Sequence, residues 1–161
     1  MATWVVYAQF KLAMCVNANN ANLKAGGDTI QVMLANAGYT PNANADQFVS
    51  TPRTYEVANG NGGAGTYFTG AANNLGYSAN MTCTLYAANT VSWGTSNANQ
   101  INWAVDSANG FSALYVILYK KGGSDAASPL IAFANLGSNQ TNSSGSLTLQ
   151  VDSANGVFTL A

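Results

Sequence analysis

The hexapeptide VDSANG occurs twice in this chain, as Val105–Gly110 and again as Val151–Gly156. The first copy runs on into FSALYVILY and the second into VFTLA. Asn-Gly is the preferred pair for a tight strand reversal, because both residues accept a positive φ at little cost. Asn109-Gly110 and Asn155-Gly156 fill those two positions, while Asp106 and Asp152 are placed to bond backbone groups two residues on. Each copy is therefore expected to be a hairpin turn between two strands. The flanks INWAV and SLTLQV differ, so the repeat is turn chemistry used twice and not a duplicated module. A calcium-binding loop does not fit, since the alternating oxygen ligands and the distant Glu of an EF-hand are missing.

Working outward, short runs rich in Val, Ile, Tyr, Phe and Thr alternate with clusters of Gly, Asn and Ser. Strands are expected at 4–16, 29–35, 81–87, 90–93, 101–105, 111–119, 129–134, 146–151 and 157–160. In 29–35 the period of two puts Ile30, Val32 and Leu34 on one face and Gln31 and Met33 on the other, as in a half-buried strand. Between Pro41 and Pro52, Asn44 is expected to cap one short helical turn over Ala45–Val49. The predicted fold is all-β: a single domain, 1–161, forming an antiparallel, jelly-roll-like β-sandwich with at most a short helical turn.

Composition narrows the function. Only 7% of the 161 residues are charged and the net charge is −1, against about 25% charged in a typical soluble domain. Five basic residues with no cluster beyond Lys120–Lys121 cannot attract a phosphate backbone, so nucleic acid is not an expected partner. MATWVVYAQFKLAMCV lacks the basic start of a signal peptide, Lys11 interrupts it, and no apolar run is long enough to span a bilayer. It reads as a mature first strand, with no membrane partner. Cys15 and Cys83 lie in apolar or β-rich runs and read as buried free thiols, with a disulfide between them the alternative.

No histidine is present, which removes Ser-His-Asp and Cys-His catalysis and His-containing zinc sites. The carboxylates Asp28, Asp46, Glu56, Asp106, Asp125 and Asp152 sit mostly in turn contexts, and no local motif pairs two of them for glycoside hydrolysis. Gly60–Gly65 spells G-x-G-x-x-G, yet it leads into the strand-like TYFTG rather than a helix, so it is a loop and not a dinucleotide site. No enzyme activity, metal or cofactor is expected. Trp4, Tyr7, Tyr39, Phe48, Tyr67, Phe68, Tyr77, Trp93 and Trp103 would favour sugar binding if they formed an exposed platform. Their strand settings favour core or inter-subunit positions instead.

TIQVML (29–34), YTPN (39–42) with Phe48, VSW (91–93), LYVILYKKG (114–122), SPLIAFANLG (128–137) and SSGSLTLQVDSANGVFTL (143–160) succeed one another in that order. The succession resembles a group of small virion structural proteins of tailed bacteriophages, over most of 29–161. It departs from that pattern in 17–27, in Gly70–Asn80 and in its low charge. The resemblance implies a capsid decoration or cement protein, jelly-roll-like, carried on the capsid surface of a virion assembled in the host cytoplasm. Its implied partner is the major capsid protein lattice, bound as a homo-oligomer, trimer or dimer. Asn19, Asn20, Asn22, Asn59, Asn61, Gly62 and Gly63 are the candidate inter-subunit contact residues, because amide side chains both donate and accept. The alternative is a tail, fibre or adhesin module that binds a cell-surface glycan.

Overall fold

The computed structural model describes residues 3–16, 28, 30–57, 83–87, 90–93, 100–103, 110–145, 147–150 and 158–160. The described chain is mostly strand. One antiparallel sheet contains β1 (Trp4–Val6), β2 (Ile30–Ala35), β6 (Ser112–Lys120) and β7 (Leu130–Thr141), in the order β1-β7-β6-β2. β3 (Cys83–Ala87), β4 (Thr90–Trp93) and β9 (Phe158–Leu160) form a second sheet, and β5 (Gln100–Trp103) pairs with β8 (Leu147–Gln150).

The first expected strand is corrected. Only Trp4–Val6 is extended, pairing with β7, and Ala8–Val16 is the helix α1. Nine helical residues exceed the single turn expected for the whole chain. Ala, Gln, Lys, Leu and Met dominate 8–14 and are strong helix formers, whereas the β-branched pair Val5–Val6 falls in the strand. The helix begins where the Ala8 N–H donates to the Ala43 carbonyl at 2.8 Å. The expected helical turn over Ala45–Val49 is also displaced. Asn42 rather than Asn44 organises the reversal, its Oδ1 accepting from the N–H groups of Asn44 and Ala45 at 3.1 Å. Pro52 opens a 3-10 turn, Pro52–Tyr55, instead of closing a helix, as suits a residue with fixed φ and no N–H.

Register assigns the two faces of the four-stranded sheet. Val32, Leu118, Ala132 and Val6 lie in line on one face, with Leu34, Val116, Ala134 and Trp4 beside them. Gln31–Tyr119, Met33–Ile117–Phe133–Val5 and Ala35–Tyr115–Asn135 make up the other. Both faces are covered: Val32, Met33, Leu34, Val116, Ile117 and Leu118 are all buried. The half-buried reading of 29–35 therefore fails at Met33, which is buried on a face met by Arg53 and Tyr39 of the segment 36–57. Across that face Tyr7 meets Phe133 at 5.2 Å between ring centroids, and Tyr39 meets Tyr115 edge-on at 6.0 Å. Phe10, Val49, Val57 and Leu149 of β8 belong to the same buried core.

Segment 36–57 acts as a strap. Asn36 N–H donates to the Tyr55 carbonyl and Val57 N–H to that of Leu34, at 3.0 and 2.9 Å. With the bridge between Ala35 and Glu56, these bonds cover the C-terminal end of the β2 edge. Farther along, Leu130 N–H donates to Gln47 and Val49 N–H to Ser128, tying the strap to the start of β7. Opposite Leu114, β7 carries four residues, Leu136–Asn139, between the paired Asn135 and Gln140. This bulge turns on Gly137 at φ +82°, a conformation L side chains rarely adopt.

Of the repeated hexamer, Gly110 is exposed, and the other positions expected to build the two turns, Asp106, Asn109, Asp152, Asn155 and Gly156, lie outside the described residues. The described strands on either side of each copy are not each other's partners. β5 pairs with β8 and β6 with β2 and β7, while β9 pairs with β4.

Candidate functional site

The densest polar chemistry in the described residues lies between the strap and the sheet, in two clusters. The first is built on Arg53, the second residue of the 3-10 turn Pro52–Tyr55. Its Nε and Nη2 donate to the two carboxylate oxygens of Asp125 at 2.9 Å each, a bidentate fork. Its Nη1 donates to Glu56 Oε2 at 2.6 Å, and Nη2 reaches Tyr119 Oη at 3.5 Å. The guanidinium also lies 5.7 Å from the centre of the Tyr119 ring. Tyr119 donates its own proton to Gln31 Oε1 at 2.7 Å. One side chain thereby joins the strap, β6, β2 and the connection between β6 and β7.

Burial sets the electrostatics. Glu56 has 1% of its side chain exposed, so desolvation raises its pKa, the bond and charge of Arg53 lower it, and Asp125 adds to the rise. Burial also raises the Tyr119 pKa, opposed by Arg53 and reinforced by the two carboxylates. For Arg53 burial works against the charge. Its bonds to Asp125, Tyr119 and Glu56 outweigh that and hold its pKa above the ordinary value.

The second cluster is a chain of hydroxyls. Tyr39 donates to Asp46 Oδ2 at 2.6 Å, so the 3.1 Å contact between Tyr7 and Tyr39 has Tyr7 as the donor. Asn42 N–H donates to the same carboxylate oxygen at 2.9 Å. Tyr7 and Tyr39 are raised in pKa by burial, and the nearby Asp46 charge adds to both. Tyr55 stacks on Tyr39 with centroids 5.7 Å apart.

These groups are committed to one another. Glu56 and Asp125 both grip one guanidinium. Asp46 serves the strap's own backbone, and Asp28 pairs with Lys120 at 3.0 Å. The arrangement is suited to holding the strap at a fixed height over the sheet. Among the described residues no three His, Cys, Asp or Glu side chains come together as metal ligands, and no helix is long and apolar enough to cross a membrane.

The sequence-derived contact residues Asn19, Asn20, Asn22, Asn59, Asn61, Gly62 and Gly63 lie outside the described residues. Tyr7 and Tyr39, considered for an aromatic platform, are buried, and Tyr55 is the exposed ring beside them. Cys15 is a free thiol on the exposed side of α1, which corrects the buried reading. Arg53, Tyr119 and Gln31 were not legible as a site, because Arg53 and Asp125 are 72 residues apart and no motif links them. No protein-family model, curated protein or solved structure matches this chain.

Proposed function

We propose that this chain is a non-enzymatic structural protein of a bacteriophage virion, a capsid decoration protein that binds the assembled major-capsid lattice. The carrying observation is the ordered series of motifs. TIQVML falls on β2, LYVILYKKG on β6 and its turn, and SPLIAFANLG on β7, so the series tracks the strands that organise the main sheet. YTPN lies near the start of the strap, and Tyr39, through Tyr7 and Tyr115, and Phe48, through Pro129, take part in its attachment. In this reading the three sheets are parts of one jelly-roll-like sandwich domain, and a dimer or trimer of it sits at the joints between shell subunits. Binding the assembled lattice and not the free subunit stabilises the shell by mass action. It requires neither cofactor, nucleic acid nor membrane.

Quantitative gel densitometry of purified particles against the major shell protein tests the reading. A copy number in a simple ratio to that protein is the expected result. A handful of copies would move the chain to the tail or a fibre and direct attention to glycan binding. Its absence from particles would overturn a virion role.

A further inference from the structure

We propose that Arg53, Glu56 and Asp125 form a pH-dependent latch that holds the strap against the β2 edge of the sheet. Its basis is a mismatch of charge: two carboxylates share one guanidinium. Asp125, with 43% of its side chain exposed, takes the bidentate side of Arg53, while Glu56, with 1% exposed, takes the remaining Nη1. When both acids are ionised, the cluster carries one negative charge beyond what Arg53 neutralises, and the buried member bears the desolvation cost. A proton on Glu56 removes that excess.

Among the described residues, the other groups beside the cluster cannot absorb the charge. From β2 come Gln31 and Met33, neither ionisable; from β6 comes the Tyr119 hydroxyl, a bond away through Arg53; from the β6–β7 connection comes Asp125 itself. Lys120, next along β6, is held by Asp28. Glu56 is also the residue whose backbone bridges Ala35, so the charge sits at the point where the strap meets the sheet edge.

Linkage sets the sign. Burial, opposed by Arg53, raises Glu56 above the ordinary carboxylate value it would regain in an opened strap. The closed form therefore binds the proton more tightly. Strap opening is suppressed in acid, rises with pH between the ordinary value and the raised one, and is flat above.

Amide hydrogen exchange of the full chain across this pH range tests the latch, read at the Val57 and Asn36 N–H groups that bond Leu34 and Tyr55. Their opening constants should rise by up to about tenfold per pH unit inside the window, the limit for one linked proton. Amides of β6 serve as the reference for global unfolding. E56Q, which keeps the Arg53 hydrogen bond without the charge, should flatten the profile, and D125N should narrow the window by leaving Arg53 to Glu56. A flat wild-type profile, an unchanged slope in E56Q, an unnarrowed window in D125N, or the same pH dependence in the β6 amides would overturn the proposal.

Discussion

Replacing Arg53 by Ala removes the guanidinium that pairs with a carboxylate having almost no contact with water. Breaking a buried pair in this way costs about 3–5 kcal/mol, and because a quarter of the Arg53 side chain is exposed the lower end is expected. R53A should therefore lose about 3 kcal/mol at neutral pH by urea denaturation. The loss should shrink in acid, because Glu56 without Arg53 keeps its proton to higher pH and the orphaned charge disappears. An equal loss at both pH values would count against a buried charge as its source. The two glycines of the β6–β7 connection make a sharper local contrast. A Cβ on Gly122 would stand 2.0 Å from the Ala127 carbonyl oxygen, whereas one on Gly123 would meet nothing within 4 Å. G122A is expected to cost about 1–3 kcal/mol as an overpacked site, while G123A should stay within about 0.5 kcal/mol or gain a little through the unfolded chain. Equal denaturation midpoints for the two variants would mean that the turn rearranges freely. The glycines of KKGGSD fall between the strands expected at 111–119 and 129–134. Which of the two is sterically required was not legible, since the atom that decides it arrives from Ala127, on the far side of the loop.

α1 shows where an element escapes a sequence pattern. The run WVVYAQFKLAMCV is apolar enough to read as one long strand, and a strand would put Phe10, Leu12 and Met14 on a common face. In the structure Tyr7 and Phe10 are buried and Met14 packs against the core, a spacing of three and four, while Leu12 is 54% exposed. That helical spacing was present in the sequence, but the apolar residues at every other position obscured it. F10A should cost about 3–5 kcal/mol, as for a core Phe, and L12A less than about 0.5 kcal/mol, as for a surface site. Comparable losses for both in thermal or urea unfolding would return the segment to a strand. The main sheet was easier to read. β2, β6 and β7 were each expected within a few residues of their ends, apart from the extension of β7 past Ala134 to Thr141. That extension runs through the Gly137 bulge, where a turn-like ANLGSN is carried inside a strand.

At the scale of the molecule, the repeated VDSANG reads as punctuation between strands but does not say which strands pair. Turn chemistry is local, whereas the partner of the next strand depends on which edge is free and which face needs covering. β6 and β9 accordingly pair with strands other than the β5 and β8 that precede them. Charge is the whole-molecule property with the clearest consequence for binding. The chain has five basic and six acidic residues, and Arg53, Lys120, Glu56, Asp125 and Asp28 are already paired within it. Few charges are left to meet a partner, so the contact proposed with the capsid lattice must rest on amide and backbone hydrogen bonds and on apolar area. Such a contact is screened little by salt, because screening acts on exposed charges. Co-sedimentation of the purified chain with undecorated shells should give an apparent Kd that changes less than about threefold between roughly 50 and 500 mM NaCl. A weakening of tenfold or more over that range would show that charge drives the association, and with so few charges on this chain the lattice would have to supply most of the field.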